Sequence, residues 1–304
     1  MCEIKNRNFL SSFDIVENLS ENTFEDILSF RISNQFRPSS FVVGSFFEES
    51  SSRTRFSTES IIQKLGGNIV HFSSLSETSI NKGESIKESA RLWSEYFDLI
   101  AIRSKNEFLP HLFGKFASVP VINMGDGSNE HPTQGLATVV HMYRIFEKIK
   151  GLNVCLWGDF NKSRTMHSVA IALSLLGANL FICSIPSVIS DELTLKKIKE
   201  YNPCAKIYII DSIPMLQTKI DLFYITRLQR ERWNIVPEYS EFLPEYCDKL
   251  SDKGIILHPL PHNMEISDDV LFHKKSKIYD HVVITKQTRA WLINSYKELY
   301  DRSV

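Results

Sequence analysis

The chemistry-bearing residues of the chain are densest at Phe47-Glu48-Glu49-Ser50-Ser51-Ser52-Arg53-Thr54-Arg55, where an apolar run from Phe41 to Phe47 gives way to a helical pattern. That pattern carries Phe56, Ile61, Ile62 and Leu65 and stops at Gly66-Gly67. A strand that runs into a helix with Ser-Ser-Arg-Thr-Arg in its first turn makes an anion site. Free backbone N–H groups, the positive end of the helix dipole and short hydroxyls converge there. Arg53 and Arg55 add planar, paired donors suited to phosphate. An ordinary serine cap with solvated arginines is the plainer alternative; the density of donors favours the anion site.

Other polar segments fall where strands end or helices begin. Ser79-Ile80-Asn81-Lys82-Gly83-Glu84-Ser85 precedes a helix and, taken alone, is a capping loop. Arg103 ends the apolar run Leu99–Ile102, where a charge is either exposed or facing a ligand. The stretch from Asn123 to Gln134 contains Gly125 and Gly127, which allow a tight backbone path, and Pro132, which leads into a helix with His131 and Gln134 on its rim. Because His131 sits in a polar turn and not on an apolar face, it is a candidate for chemistry. Trp157–His167 joins a strand to a helix without G-x-G-x-x-G, so a dinucleotide site has no support. Arg164 opens that helix against the usual dipole preference, which points to a facing anion. Asp221–Ile225 leads into Thr226-Arg227-Leu228-Gln229-Arg230-Glu231-Arg232, and His258-Pro259-Leu260-Pro261 ends a strand in a stiff turn whose carbonyls could face a ligand amide.

The elements that must position these residues alternate along the chain. Strands are expected at Phe41–Phe47, Asn68–Phe72, Leu99–Arg103, Pro120–Asn123, Asn153–Trp157, Asn179–Cys183, Ala205–Ile210, Asp221–Thr226 and Gly254–Leu257. Helices are expected at Ser52–Leu65, Ser85–Tyr96, Thr133–Lys148, Arg164–Leu176 and Asp191–Lys199. Near-continuously apolar strands separated by helices indicate α/β architecture: two doubly wound parallel-sheet domains, with the active site between them. The boundary falls at Lys148–Gly151, giving a first domain over 1–150 and a second over 151–285. A last helix, about Lys286–Tyr300, crosses back to complete the first domain.

The 304 residues suffice for two such cores, and an apolar fraction of 43% with a charged fraction of 23% is that of a soluble globular protein. With 35 basic and 36 acidic side chains, nothing suggests a nucleic-acid or membrane surface. Cys2, Cys155, Cys183, Cys204 and Cys247 are scattered without a C-x-x-C pair, which argues against structural zinc and a disulfide scaffold and for reduced, cytoplasmic thiols. The segment after Met1 has no apolar stretch of signal-peptide length.

The 47–55 segment resembles the Phe-x-(Glu or Lys)-x-Ser-Thr-Arg-Thr-Arg signature of the aspartate and ornithine carbamoyltransferases. The remaining segments follow in the order, and at close to the spacing, of the aspartate branch, over nearly the whole chain. The ornithine branch carries Ser-Met-Gly and His-Cys-Leu-Pro where this chain has Thr-Arg-Leu-Gln-Arg-Glu-Arg and His-Pro-Leu-Pro. Arg164 and Arg227 suit a dicarboxylate and would repel an ammonium. The resemblance implies that Ser51, Ser52, Arg53 and Thr54 hold the phosphate of carbamoyl phosphate, with Ser79 and Lys82 reaching in from a neighbouring subunit of a homotrimer. It implies that Thr54, Arg103 and His131 polarise the carbamoyl oxygen, while Gln134 and the carbonyls of Leu260 and Pro261 hold its amide. Arg164, Arg227, Gln229 and Lys82 would bind L-aspartate, and Glu49 would bridge to Arg164 and Arg232 on domain closure. The implied reaction makes N-carbamoyl-L-aspartate and phosphate for pyrimidine synthesis, without metal or cofactor; a separate regulatory chain is possible.

Several residues depart from that family pattern. Ser52 replaces Thr and keeps the hydroxyl. Ser104 stands where His is frequent, Thr138 where Asp is usual, and His262 where Arg follows His-Pro-Leu-Pro; Asp280–Thr285 lacks the familiar Gln and Asn-Gly. The changes at His262 and Asp280–Thr285 bear on the acceptor amine and on closure. Two alternatives follow: a sibling enzyme with another amino-acid acceptor, or a non-catalytic paralogue kept for assembly. Retention of Arg53, Arg103, His131, Gln134, Arg164, Arg227 and Gln229 argues against the second.

Overall fold

The computed structural model describes residues 8–33, 38–185, 191–238 and 240–303. Contacts divide the chain into two compact units, Met1–Thr133 with Thr285–Val304, and Gln134–Ile284. In chain order the first contains α1 (Ser12–Asn18), α2 (Glu21–Ser29), β1 (Val42–Phe47), α3 (Ser52–Lys64), β2 (Asn68–Phe72), α4 (Ile86–Tyr96), β3 (Leu99–Ser104), α5 (Leu109–Phe116) and β4 (Val121–Asp126). Helix α6 (Pro132–Phe146) leads into the second, which contains β5 (Asn153–Gly158), α7 (Arg164–Leu175), β6 (Asn179–Ser184), α8 (Glu192–Tyr201), β7 (Ile207–Ile209), β8 (Ile220–Ile225), β9 (Leu250–Leu257) and α9 (Asp268–Leu271). Helix α10 (Ile278–Ser303) closes the chain.

Both sheets are parallel throughout, in the orders β2-β1-β3-β4 and β7-β6-β5-β8-β9. In the first, the chain leaves β1 for β2 on one side and later returns to place β3 on the other. In the second, β5 is flanked in the same way by β6 and β8. Each unit therefore has one switch point, and ligands of open α/β sheets bind outside the carboxyl ends of the strands at that point. Strands β1, β3 and β4 are almost wholly buried, as β5 and β8 are, which is why they read as unbroken apolar runs.

Differences from the expected elements have local causes. Helices α1 and α2 are short and were not anticipated; they are held by capping boxes, Ser11 with Asp14 and Ser20 with Thr23. Helix α5 begins on Leu109-Pro110, with proline where a missing N–H costs nothing, and the four-residue α9 was likewise unmarked. Strand β9 starts at Leu250, ahead of the expected Gly254, because Ser251–Lys253 turn outward and carry no apolar signal. Helix α10 starts at Ile278 and not near Lys286: Ile278, His281 and Ile284 recur at helical spacing and are all buried. The later part of α10 packs on the first unit, where Gln287 Nε2 donates to the carbonyls of Ile27 (2.8 Å) and Leu28 (2.7 Å) and Tyr300 Oη lies 3.0 Å from Ser40 Oγ. Cys155 and Cys183 are buried on β5 and β6; Cys2 lies outside the described residues.

Candidate active site

In the first unit the switch point brings together the ends of β1 and β3, with Phe47 in register with Arg103. Ser51 caps α3: its Oγ accepts the Thr54 N–H at 3.3 Å. The first turn of α3 holds no acidic residue that would neutralise the positive end of the helix dipole, and Ser52 and Arg53 are exposed there. Arg55 does not join them. It pairs with Glu59 one turn along, at 3.0 Å, and Glu59 also lies 3.0 Å from His71.

Arg103 Nε lies 3.4 Å from Glu49 Oε2, both side chains being largely buried. The neighbouring Glu48 accepts from Ser104 Oγ (2.9 Å) and Lys105 N (3.0 Å), which gives the buried Ser104 a structural duty at this strand end. His131 is buried; its Nε2 is 3.5 Å from Thr54 Oγ1 and its Nδ1 is 3.2 Å from Thr133 Oγ1. The turn that presents His131 is built on Asp126, a residue the sequence did not mark. Its buried carboxylate accepts from Phe108 N (2.7 Å), Asn123 Nδ2 (2.8 Å), Asn129 Nδ2 (2.9 Å) and Glu130 N (3.2 Å). Burial raises its pKa, and those donors only partly offset the rise. Gly127, at φ 47°, makes the bend; a Cβ there would lie 2.8 Å from the Lys105 carbonyl. Glu130 ties the turn to α1, accepting from Ser12 N (2.7 Å) and Oγ (2.6 Å). Ser79 and Lys82 are exposed on a 3-10 turn, Ser79–Lys82, beyond β2.

In the second unit the switch point lies between β5 and β8. Gly158 ends β5 at φ 125°, and a Cβ there would sit 2.2 Å from the Thr226 carbonyl, so the two strand ends approach only because this residue is glycine. The next residue, Asp159, is buried and organises both loops. It accepts from Lys162 N (3.1 Å), Gln229 N (2.9 Å) and Trp233 Nε1 (2.9 Å), and burial again raises its pKa against these donors. Arg164 is buried at the first turn of α7, which also holds no acidic residue. Arg227 is clamped by Glu231 through Nη1–Oε2 at 2.9 Å and Nη2–Oε1 at 2.5 Å, and the pair raises the arginine pKa further. Gln229 Nε2 donates to the Arg227 carbonyl (3.3 Å), and Arg232 Nη1 to that of Lys162 (2.8 Å).

Leu260 and Pro261 follow β9 in a cis peptide with Leu260 at φ 57°. His258 Nδ1 accepts the Leu260 N–H at 2.8 Å, and its Nε2 lies 2.9 Å from Glu265 Oε1, both side chains fully enclosed. Gln134, near the start of α6, is buried with its Nε2 2.8 Å from His281 Nε2. Each unit thus gathers its own set at the ends of its strands: Ser51–Thr54, Arg103 and His131 in one, Arg164, Arg227, Gln229 and Arg232 in the other.

Residues 7–144 match the family model described as the aspartate/ornithine carbamoyltransferase carbamoyl-P binding domain, and residues 150–289 match the Asp/Orn binding domain of the same enzymes. The chain belongs to the aspartate/ornithine carbamoyltransferase family. It is 34% identical over 292 residues to the aspartate carbamoyltransferase catalytic subunit of Picrophilus torridus, covering 91% of this chain and 93% of that one. Among solved structures it resembles the catalytic subunit of M. jannaschii aspartate transcarbamoylase, with a TM-score of 0.78 at 30% identity over 96% of this chain and 98% of that one. An ornithine carbamoyltransferase from Pyrococcus furiosus superposes equally well, with a TM-score of 0.79 over 96% of this chain and 97% of that one, but at 22% identity. The fold is therefore common to both branches of the carbamoyltransferases, and the choice of acceptor must be argued from side chains. Among the described residues, no group of three or more His, Cys, Asp or Glu could hold a metal ion, and no helix is long and apolar enough to cross a membrane.

Proposed function

We propose that this carbamoyltransferase uses L-aspartate as acceptor, forming N-carbamoyl-L-aspartate and phosphate for pyrimidine synthesis. The observation that carries this is the pair Arg164 and Arg227, with Gln229 and Arg232 beside them, at the switch point of the second sheet. A dicarboxylate matches such a set, whereas ornithine would bring its own positive charge to it.

Ser51, Ser52, Arg53 and Thr54 hold the phosphate at the start of α3. Arg103, Thr54 and His131 donate to the carbamoyl oxygen, and Gln134 with the Leu260 and Pro261 carbonyls takes the carbamoyl N–H groups. The neutral α-amine of aspartate attacks the carbamoyl carbon; a C–N bond forms and negative charge collects on the oxygen. The C–O bond to phosphate then breaks, and the departing phosphate takes the proton that the amine must lose. Donors already in place stabilise the intermediate most, because none has to reorganise as charge appears. Holding both substrates in contact supplies much of the remaining acceleration.

Residues 1–150 with 286–304 form the carbamoyl phosphate domain, and 151–285 the aspartate domain. The exposure of Ser79 and Lys82 supports their use by a neighbouring subunit of a homotrimer. Glu49 exchanges Arg103 for Arg164 and Arg232 when substrates bind. The enzyme works in the cytoplasm. Product formation with a panel of amines tests the acceptor: aspartate is carbamoylated and ornithine is not. Turnover only with another amine would assign the sibling activity, and tight carbamoyl phosphate binding with no turnover would assign a non-catalytic paralogue.

A further inference from the structure

Gln134 is asked to take the N–H groups of the carbamoyl amide, yet a glutamine side chain has a donor end and an acceptor end. What decides which end it presents is a pair of histidines that play no part in the chemistry above. His281, from the first turn of α10, places its Nε2 2.8 Å from Gln134 Nε2, and its Nδ1 3.2 Å from Nδ1 of His141 on α6. The two ring planes lie within 21° of parallel with centroids 5.3 Å apart. That spacing is close to the N–N contact plus the two ring radii, so the rings meet edge to edge and not face to face. All three side chains are buried.

Two facing Nδ1 atoms at this distance share one proton. A glutamine amide nitrogen can only donate, so His281 Nε2 must accept and the proton of that ring must lie on Nδ1, where it is donated to His141. His141 then carries its own proton on Nε2. Both rings are neutral in this arrangement, and burial, foremost, disfavours the charged form of each. Thr138 reinforces the frame: its Oγ1 donates to the Gln134 carbonyl at 3.0 Å and lies 3.5 Å from His281 Nε2. One of the two amide N–H groups of Gln134 is donated to His281, which holds the NH2 end against that ring and leaves Oε1 on the opposite side of the amide.

We propose that His281 is a positioning residue that fixes Gln134 with Oε1 outward, making it a dedicated acceptor for the carbamoyl NH2 and so a determinant of selectivity for carbamoyl over acyl phosphates. The proposal rests on the assignment of Gln134 to the carbamoyl amide. Departures from the family pattern at Thr138 and within Asp280–Thr285 meet at this one side chain, so the second bears on the carbamoyl end as well as on the acceptor.

Acetyl phosphate is the discriminating probe, since it keeps the carbonyl and the phosphate and replaces NH2 by methyl. Dissociation constants for carbamoyl phosphate and acetyl phosphate should be measured for wild type, His281→Leu, His281→Gln, His141→Leu and Gln134→Ala. Wild type should favour carbamoyl phosphate. His281→Leu should weaken carbamoyl phosphate about tenfold or more and leave acetyl phosphate within about twofold, because a site built for an N–H loses only the ligand that has one. His281→Gln, whose Oε1 can still accept, should stay within about threefold of wild type. His141→Leu frees the tautomer of His281 and should give an intermediate loss. Equal weakening of both ligands, or undiminished selectivity in His281→Leu, would overturn the proposal. If Gln134→Ala keeps full selectivity, the placement of the amide at Gln134 fails instead. Should His281→Leu not fold, ¹⁵N-histidine spectra of the wild type decide: a proton on Nδ1 of His281 is required, and a proton on Nε2 contradicts it.

Discussion

The two switch points solve the same geometric problem with different chemistry. Each rests on one buried aspartate that gathers loop donors: Asp126 orders the turn before His131, and Asp159 orders the loops carrying Gln229 and Trp233. Both carboxylates have raised pKa values because burial penalises their charge. They are costly as stabilisers and useful as organisers. The units differ in how they leave their arginines. In the first, Arg53 is exposed at a helix start and Arg103 Nε lies 3.4 Å from Glu49 Oε2. In the second, Arg227 is held by Glu231 through two shorter contacts, and burial, which pushes that carboxyl up, is outweighed by Arg227, so its pKa is lowered. On the proposed assignment each unit exchanges a resident carboxylate when substrates bind, Glu49 at Arg103 in the first and Glu231 at Arg227 in the second, and the second holds its carboxylate through the shorter contacts.

The largest effect should come from the first unit. Arg53→Ala or Arg103→Ala should lower kcat by about 10²- to 10³-fold, as loss of a preorganised donor costs ~3–4 kcal/mol, with the thermal melt little changed. A near-normal rate at saturating substrates would remove either residue from the chemistry.

Acid should distinguish the units through stability. His141, with its folded pKa near 4 against an ordinary 6.5, binds its proton more weakly folded than unfolded. Between those values the unfolded chain holds more protons, so stability is fully present above pH 6.5, declines as pH falls, and has lost about 3 kcal/mol at pH 4. Urea midpoints measured across that window should fall more steeply for wild type than for His141→Gln. Parallel curves would mean that the histidine pair is not buried neutral.

Arg227→Ala should raise the KM for aspartate by about 10- to 100-fold, the range of a charge-assisted hydrogen bond, and spare carbamoyl phosphate affinity. A loss confined to carbamoyl phosphate would erase the division between the units. The smallest effects should come from the organisers. Asp159→Asn should raise the aspartate KM about tenfold with kcat kept, and Asp126→Asn should lower kcat about tenfold with the aspartate KM kept, each change leaving a donor poorly matched. If either variant altered both constants equally, the two loops would be acting as one.

What could be read from residues alone was whatever rests on local density or period. Strands β1, β3 and β5 are buried on both faces and so announce themselves as apolar runs, and the first turn of α3 packs its donors within a few residues. Helices α1 and α2 were missed because their signal is a capping box and not a long apolar face. The partners of the arginines were hidden for another reason. Glu231 is four residues from Arg227, yet nothing in that spacing says whether the pair is formed. His281 is 147 residues from Gln134, and a lone histidine near the end of a chain carries no mark of the side chain it will meet. Pairings of this kind depend on sheet order and helix direction, which no short segment contains.

On the proposed function, two arginines at the second switch point select a dicarboxylate acceptor for a carbamoyl group held at the first. Carbamoyl transfer measured side by side with aspartate, glutamate, ornithine, 2,3-diaminopropionate and putrescine, following both phosphate and the carbamoylated product, tests it most directly. Aspartate should be carbamoylated rapidly and ornithine and putrescine not at all; transfer to a cationic amine in preference to aspartate would overturn the role given to Arg164 and Arg227.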